Sequence, residues 1–186
     1  MSKPRILFQL TGSIACFKAC SLISKLVQSG YEVQTVATPG ALEFIGKATL
    51  EGLTGRPVFV DIYEPNRAMD HIHLNRWADL ALLCPASAST LNRLANGMSD
   101  DAVGALFLSY QLNEKPYWIA PAMNHLMYLH PATQESIQKL QSWKVRILHP
   151  ESGHQACGEE GPGRLMEPEK IFAAIEEFFA GRLRRE

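Results

Sequence analysis

Short apolar runs alternate along this chain with segments whose apolar residues recur at helical spacing. Several of the runs stop abruptly at a proline or at a Thr-Gly-Ser turn. Apolar runs of this length are typical of strands buried on both faces of a parallel sheet. The predicted strands are Arg5–Leu10, Glu32–Ala37, Asp79–Cys84, Pro116–Ala120 and Val145–Leu148, with a short additional one at Pro57–Val60.

The segments between the strands predict helices. The first has a clear 3.6-residue period and ends at Gly30, in the position that glycine commonly takes after a helix. Residues 61–70 are predicted to be irregular, and residues 150–167, which are rich in glycine, to form a mobile loop. The other predicted helices are a short one after Pro39 and those at 87–97, 100–111, 131–143 and 168–183.

This alternation predicts an α/β fold, with a doubly wound, mostly parallel sheet of the Rossmann or flavodoxin-like type and helices on both faces. Because the sequence has no internal repeat or linker, residues 1–186 are expected to form a single domain with its core at about 4–180. Such sheets bind ligands beyond the carboxyl ends of their strands. The segments to examine for function are therefore 11–14, 38–39, 85–90 and 121–124.

Composition excludes several classes of protein. The 18 basic and 19 acidic residues nearly balance, which argues against a nucleic-acid-binding protein and against a strongly acidic electron carrier. No apolar run is long enough to span a membrane or to form a signal-peptide core, so we expect a cytoplasmic protein. We expect no zinc site and no disulfide framework, because no CxxC pair is formed by Cys16, Cys20, Cys84 and Cys157.

Two of the loops at strand ends carry hydroxyl groups and small residues. In the TGSIA loop, Gly12 allows close approach of the backbone, and Ser13 can cap the next helix or face an anion. The PASAST loop opens a helix with Ser87, Ser89 and Thr90. Neither is a dinucleotide or P-loop motif, and each can be an ordinary helix cap. Together at one sheet edge they favour a neutral phosphate cradle.

Further polar residues are candidates for chemistry. His71 and His73 would share a face in an extended segment, which suits a metal, but the sequence places no third ligand nearby. A general base and a surface histidine are the alternatives. Arg76 can pair with an anion, and Asn124 of the PAMN motif can bind a carboxylate or simply form a turn. Surface or packing positions are expected for His125, His130, His149 and His154.

The glycine-rich segment near the end of the chain contains Cys157 and Arg164. Its glycines would let it move as a lid over a site. The thiol there is expected to be accessible, unlike that of Cys84 on its apolar strand, and a nearby guanidinium can lower a thiol's pKa or bind an anion. The alternative is a solvated loop with an incidental thiol.

Taken in order, the motifs resemble those of the homo-oligomeric flavin-containing cysteine decarboxylases, and among them the members that act on phosphopantothenoylcysteine. The resemblance extends over about residues 4–180. It rests on TGSIA (11–15), Thr38, HIxL (71–74), RWAD (76–79), PASAST (85–90), PAMNxxMY (121–128) and ACGEEGPGRL (156–165).

The resemblance implies a carboxy-lyase that binds FMN between the subunits of a trimer, with trimers able to assemble further into dodecamers. His71 matches the active-site histidine, Asn124 the residue that holds the substrate carboxylate and amide, and Cys157 the proton donor of a substrate clamp. The positions that match the FMN site are Gly12, Ser13, Ile14, Thr38, Phe44, Ser87, Ala88, Ser89, Thr90 and Met123. Those that match the substrate site are Arg76, Met123, Asn124, Ala156, Cys157, Gly158 and Arg164.

The implied reaction belongs to coenzyme A biosynthesis. The cysteinyl CH₂–SH group is oxidised by the flavin to a thioaldehyde, CO₂ leaves, and re-reduction gives 4′-phosphopantetheine. The family's pattern is broken at Ser89, where Asn is usual, and at His73, where an acidic residue is usual. The alternatives are a lantibiotic-type peptidyl-cysteine decarboxylase and a non-catalytic FMN-binding regulatory protein. The synthetase activity that many bacterial relatives carry in a further domain is expected to come from elsewhere.

Overall fold

The computed structural model of the chain describes residues 3–154 and 158–183. The strands of this part are β1 (Arg5–Leu10), β2 (Glu32–Ala37), β3 (Leu80–Ala86), β4 (Tyr117–Pro121), β5 (Arg146–Ile147), β6 (Glu151–His154) and β7 (Glu160–Arg164). Its helices are α1 (Cys16–Gln28), α2 (Pro39–Leu42), α3 (Lys47–Thr54), α4 (Asp70–Trp77), α5 (Ala88–Ala95), α6 (Ala102–Leu108), α7 (His125–Leu129), α8 (Pro131–Ser142) and α9 (Pro168–Leu183).

The central sheet has the strand order β2-β1-β3-β4-β5, and all its pairings are parallel. The chain starts at β1, adds β2 on one side, and then builds β3, β4 and β5 on the other side. This is the flavodoxin-like order of a doubly wound sheet, so the predicted fold class is confirmed. The order reverses between β1 and β3, which makes the carboxyl ends of these two strands the expected place for a ligand.

Alternate residues of the central strands pack on opposite faces of the sheet. On β1, Ile6 and Phe8 belong to the core under α1 and α9, whereas Leu7 belongs to the core under α5, α6 and α8. All three side chains are fully buried. Burial of each such side chain stabilises the fold by about 1.5–3 kcal/mol, so both layers hold the sheet rigidly and fix the loops at its edge.

The structure corrects several predicted elements. The segment Pro57–Val60 contributes an isolated bridge from Phe59 to Val36, and the last strand of the sheet is shortened to β5. Helices α3, α4 and α7 were not predicted. The largest error is at 150–167, where the predicted loop is the antiparallel hairpin of β6 and β7. None of the helices in the described part of the chain is both long and apolar enough to cross a membrane.

Candidate functional site

A cleft of about 540 Å³ opens at the carboxyl ends of β1, β3 and β4. Its volume is typical of sites that bind a cofactor or small molecule. It lies at the point where the strand order reverses, as expected for a doubly wound sheet. The predicted site residues that line it are Gly12, Ser13, Ile14, Ser87, Ala88, Met123, Asn124 and Arg164.

Other predicted contacts lie elsewhere. Thr38 is buried and caps α2, where its Oγ1 accepts a hydrogen bond from the Ala41 N–H at 3.2 Å. Thr90 is buried at the start of α5. Ala156 and Cys157 lie outside the described residues. Among the residues that are described, four predicted cofactor contacts do not line the cleft: Thr38, Phe44, Ser89 and Thr90.

The loops after β1 and β3 are joined by a buried hydroxyl. Thr11 donates its hydroxyl to the Pro85 carbonyl at 2.8 Å and accepts the Ser87 N–H at 2.9 Å. Next to it, the Ser13 hydroxyl accepts the Ala15 N–H at 3.3 Å. Because these bonds satisfy groups that would otherwise be buried without partners, they hold the two loops side by side at the cleft.

Two helices begin at the cleft. Ile14 and Ala15 precede α1, Ala88 is the first residue of α5, and all three line the cavity. Ser87 caps α5 by accepting the Thr90 N–H at 3.3 Å. The positive end of each helix dipole favours a bound anion, and the hydroxyls of Ser13 and Ser87 line the cleft beside these helix ends. The cleft therefore offers neutral hydrogen-bond donors to a phosphate.

Other parts of the cleft lining are apolar side chains and two cations that form ion pairs. Ile14 and Phe17 of the α1 region form an apolar wall, which suits an aromatic ring. The cation of Lys18 lies 3.0 Å from Glu167, and that of Arg164 lies 3.2 Å from the same carboxylate. Both cations are therefore paired. Arg164 would have to leave Glu167 before it could bind a ligand anion or lower the pKa of a thiol, which are the roles predicted for it. Lys18 was not predicted, because a lysine within a helix has no distinguishing sequence signal.

Asn124 lies where α7 meets the β6–β7 hairpin. Its Oδ1 caps α7 by accepting the Leu126 N–H at 2.9 Å. Its Nδ2 donates to the Glu159 carboxylate at 2.8 Å. The neighbouring Met123 N–H donates to the Gly163 carbonyl at 2.9 Å. The amide that was predicted to hold a carboxylate thus holds one from its own chain.

The hairpin forms one side of the cleft. His154 at the end of β6 is exposed, as expected for a surface position, and it also lines the cavity. Gly161 of β7 packs on α7 so closely that a Cβ atom there would lie 2.7 Å from the His125 Cβ. Glycine-rich strands carry little side-chain periodicity, which is why the sequence pattern indicated a loop.

His71 and His73 lie on helix α4, and not in an extended segment in which they would share a face. Residues two apart on a helix point to nearly opposite sides, so the two rings do not share a face. Within the described residues, no group of three or more His, Cys, Asp or Glu residues could hold a metal. The cleft wall, as far as it is described, includes no residue of α4, so His71 and Arg76 do not line the cleft with Asn124.

Helix α4 is held at its carboxyl end by a lysine. The Lys115 ammonium donates to the carbonyls of Asn75, Arg76 and Ala78 at 3.0, 2.9 and 2.9 Å. These are the unsatisfied acceptors that end a helix. The contact fixes α4 and with it the position of His71. Burial lowers the pKa of Lys115 below its usual value.

Burial keeps the described cysteines in the protonated form. It raises the pKa of the Cys20 thiol to about 11 and raises those of Cys16 and Cys84 as well. A protonated, buried thiol is a poor nucleophile. Cys16 and Cys84 lie in the core and the half-buried Cys20 packs against it, so all three serve in packing.

The family model described as Flavoprotein matches residues 1–180 of this chain. The chain is 42% identical over 177 residues to the coenzyme A biosynthesis bifunctional protein CoaBC of Vibrio vulnificus, covering 94% of this chain and 43% of the relative. It is 38% identical over 182 residues to the CoaBC protein of Bacillus subtilis, covering 97% of this chain and 44% of the relative. The chain thus spans less than half the length of these relatives.

Solved structures share the fold over nearly the whole chain. A cysteine-to-serine mutant of PPC decarboxylase, complexed with pantothenoylaminoethenethiol, is 29% identical with a TM-score of 0.86, covering 96% of this chain and 100% of the other. The FMN binding protein AtHal3 is 29% identical with a TM-score of 0.82, covering 97% of this chain and 98% of the other.

Proposed function

Because this chain belongs to the flavoprotein family, we propose that it binds FMN and converts 4′-phosphopantothenoylcysteine to 4′-phosphopantetheine and CO₂. The observation that carries the proposal is the convergence of Ser13, Ser87 and Asn124, from three separate loops, on one cleft. The similarity to CoaBC proteins and to a PPC decarboxylase structure supports the choice of substrate.

The cleft fits a flavin mononucleotide. The starts of α1 and α5, with the hydroxyls of Ser13 and Ser87, supply neutral donors for the phosphate. Ile14, Phe17 and Met127 supply an apolar wall for the ring system. When bound, FMN supplies reversible oxidation of the cysteinyl carbon–sulfur unit, which makes loss of CO₂ easy and leaves the net reaction non-oxidative.

The chain's own residues orient the substrate and move protons. Asn124, which lines the cleft, binds the substrate carboxylate through its amide N–H. His71 acts as the general base that accepts the thiol proton. Cys157 lies outside the described residues, and its assignment as proton donor rests on the sequence motif.

We assign His71 and Arg76 to the cleft of a second copy of the chain. In one chain α4 lies apart from the cleft as described. At the rim of the cleft, helix α7 carries Leu126 and Leu129 beside Met127, and these two leucines are apolar yet 64% and 54% exposed. An exposed apolar rim of this kind marks an interaction surface. A ring of copies would cover the rim and bring one copy's α4 to its neighbour's cleft.

The test is product formation by flavin-loaded protein, followed by mass spectrometry. 4′-Phosphopantothenoylcysteine is expected to lose CO₂ and give phosphopantetheine, whereas a peptide ending in cysteine is expected to stay intact. Decarboxylation of the peptide instead would establish the peptidyl-cysteine activity. Flavin binding without either product would establish a non-catalytic binding protein.

Two variants test which residue acts at which step of the proposed reaction. His71→Asn is expected to abolish CO₂ release, because the general base is lost. Cys157→Ser is expected to release CO₂ but to accumulate the oxidised enethiol, because the final protonation needs the thiol. Complete turnover by Cys157→Ser would contradict the proton-donor role.

A further inference from the structure

A carboxylate of the chain itself is hydrogen-bonded to the Asn124 side-chain amide. The proposed function assigns the same amide to the substrate carboxylate. Glu159 Oε2 accepts a hydrogen bond from Asn124 Nδ2 at 2.8 Å, and the same oxygen lies 3.5 Å from His125 Nδ1. Asn124 is fixed in place, since its Oδ1 caps α7. Its donor group therefore has a defined direction, and Glu159 takes it.

The contact lies at the end of β7 that is farthest from the anchored base of the hairpin. The base is held by Glu151, which accepts hydrogen bonds from Lys170 at 2.7 Å and from Arg164 at 3.3 Å. By contrast, the Glu159 side chain is 50% exposed and follows Gly158, which has a φ of 86°. When Glu159 is released, hydration of its carboxylate offsets the lost hydrogen bond, and the base of the hairpin stays in place.

The Asn124 amide has two N–H donors, but two carboxylates bound to them would repel each other. A second anion at the Asn124 N–H would lie within a few ångströms of Glu159, and like charges at that distance repel. The substrate carboxylate must consequently displace Glu159. The decarboxylated product has no carboxylate and meets no such competition.

We propose that Glu159 is a positioning residue that holds the Asn124 amide until the substrate carboxylate displaces it, and that takes the amide back once CO₂ has left. The inference rests on the proposed function, because it assumes a substrate carboxylate at Asn124. It makes Glu159 an internal competitor that weakens the binding of the carboxylate form relative to that of the decarboxylated form.

The test compares Glu159→Ala with wild type in initial-rate kinetics on flavin-loaded protein. Removal of the competitor is expected to lower KM for 4′-phosphopantothenoylcysteine by about threefold to tenfold, because a site that is free for only a fraction of the time lowers the apparent affinity of its ligand by that fraction. The inhibition constant of added phosphopantetheine is expected to stay unchanged. Glu160→Ala is the matched control, since it removes the adjacent, exposed carboxylate of β7, and is expected to leave both constants unchanged.

Glu159→Gln provides a second measurement should the alanine variant disturb the hairpin. Its amide oxygen still accepts from Asn124 but carries no charge, so a KM between those of Glu159→Ala and wild type is expected. A rise in both KM and the inhibition constant would show that Glu159 serves to hold the hairpin, and would overturn the inference. Unchanged constants would overturn it too. Absence of turnover in wild type would instead contradict the proposed function.

Discussion

Gly12, which lines the cleft, packs closely against Gly40 of helix α2. A Cβ atom on Gly12, in the loop after β1, would lie 3.2 Å from the Gly40 carbonyl oxygen in α2. That distance is shorter than ordinary van der Waals contact, and the neighbouring atoms are backbone. Gly12 therefore allows the backbone of the loop after β1 to approach α2 closely, and its place in the TGSIA motif predicted a close backbone approach.

Gly12→Ala is expected to shift the loop after β1 and weaken flavin binding, with a loss of about 1–3 kcal/mol of stability from overpacking. Absorbance of the flavin retained after gel filtration and the thermal midpoint measure the two effects. Gly46→Ala is the control, because a Cβ there meets no atom within 4 Å. Equal flavin retention by the two variants would contradict the assignment of Gly12 to the cofactor site.

The β6–β7 hairpin and helix α4 show where sequence patterns fail. The hairpin is short and glycine-rich, and it is held by Glu151 at its base and by packing of Gly161 on α7, contacts that no periodicity reveals. Helix α4 begins at Asp70, after Met69, whose side chain does not cap it, and its other end depends on Lys115, which is distant in sequence. Tertiary contacts create both elements, whereas the central strands followed directly from their apolar runs.

Glu151→Gln is expected to loosen the hairpin and to destabilise the chain by about 0.5–1 kcal/mol at neutral pH, as for a partly exposed ion pair. The hydrogen bond from Lys170 is the main cause that lowers the pKa of Glu151 below its ordinary value of 4.5. A carboxyl group with a lowered folded-state pKa stabilises the fold above its unfolded pKa. That stabilisation is lost as the pH falls through the folded pKa.

Denaturant titrations of both proteins at several pH values measure this contribution. The difference in unfolding free energy between wild type and variant is expected to be constant above the ordinary pKa and to vanish in more acidic solution. A difference that persists in strong acid would show that the ion pair is not its source.

The chain as a whole shows how far its sequence predicts its site. The residues after β1, β3 and β4 were predicted to face one ligand, and Gly12, Ser87 and Asn124 do line one cleft, because parallel strands end at the same sheet edge. The place of His71 was not predictable, since no local pattern specifies whether a helix serves its own cleft or a neighbour's. The internal Glu159–Asn124 bond was equally hidden, because it joins segments 35 residues apart.

Mixing two inactive variants tests whether neighbouring copies share a site. His71→Asn keeps an intact cleft, and Asn124→Ala keeps an intact α4, so a mixed assembly places some intact clefts beside intact histidines. In a ring with head-to-tail contacts and random, equal mixing, about one quarter of the sites combine both, and about one quarter of wild-type activity is expected. The proteins are mixed under dissociating conditions, reassembled, and assayed for CO₂ release, with each variant reassembled by itself as control. Activity that stays at the level of the separate variants would mean that His71 serves the cleft of its own chain.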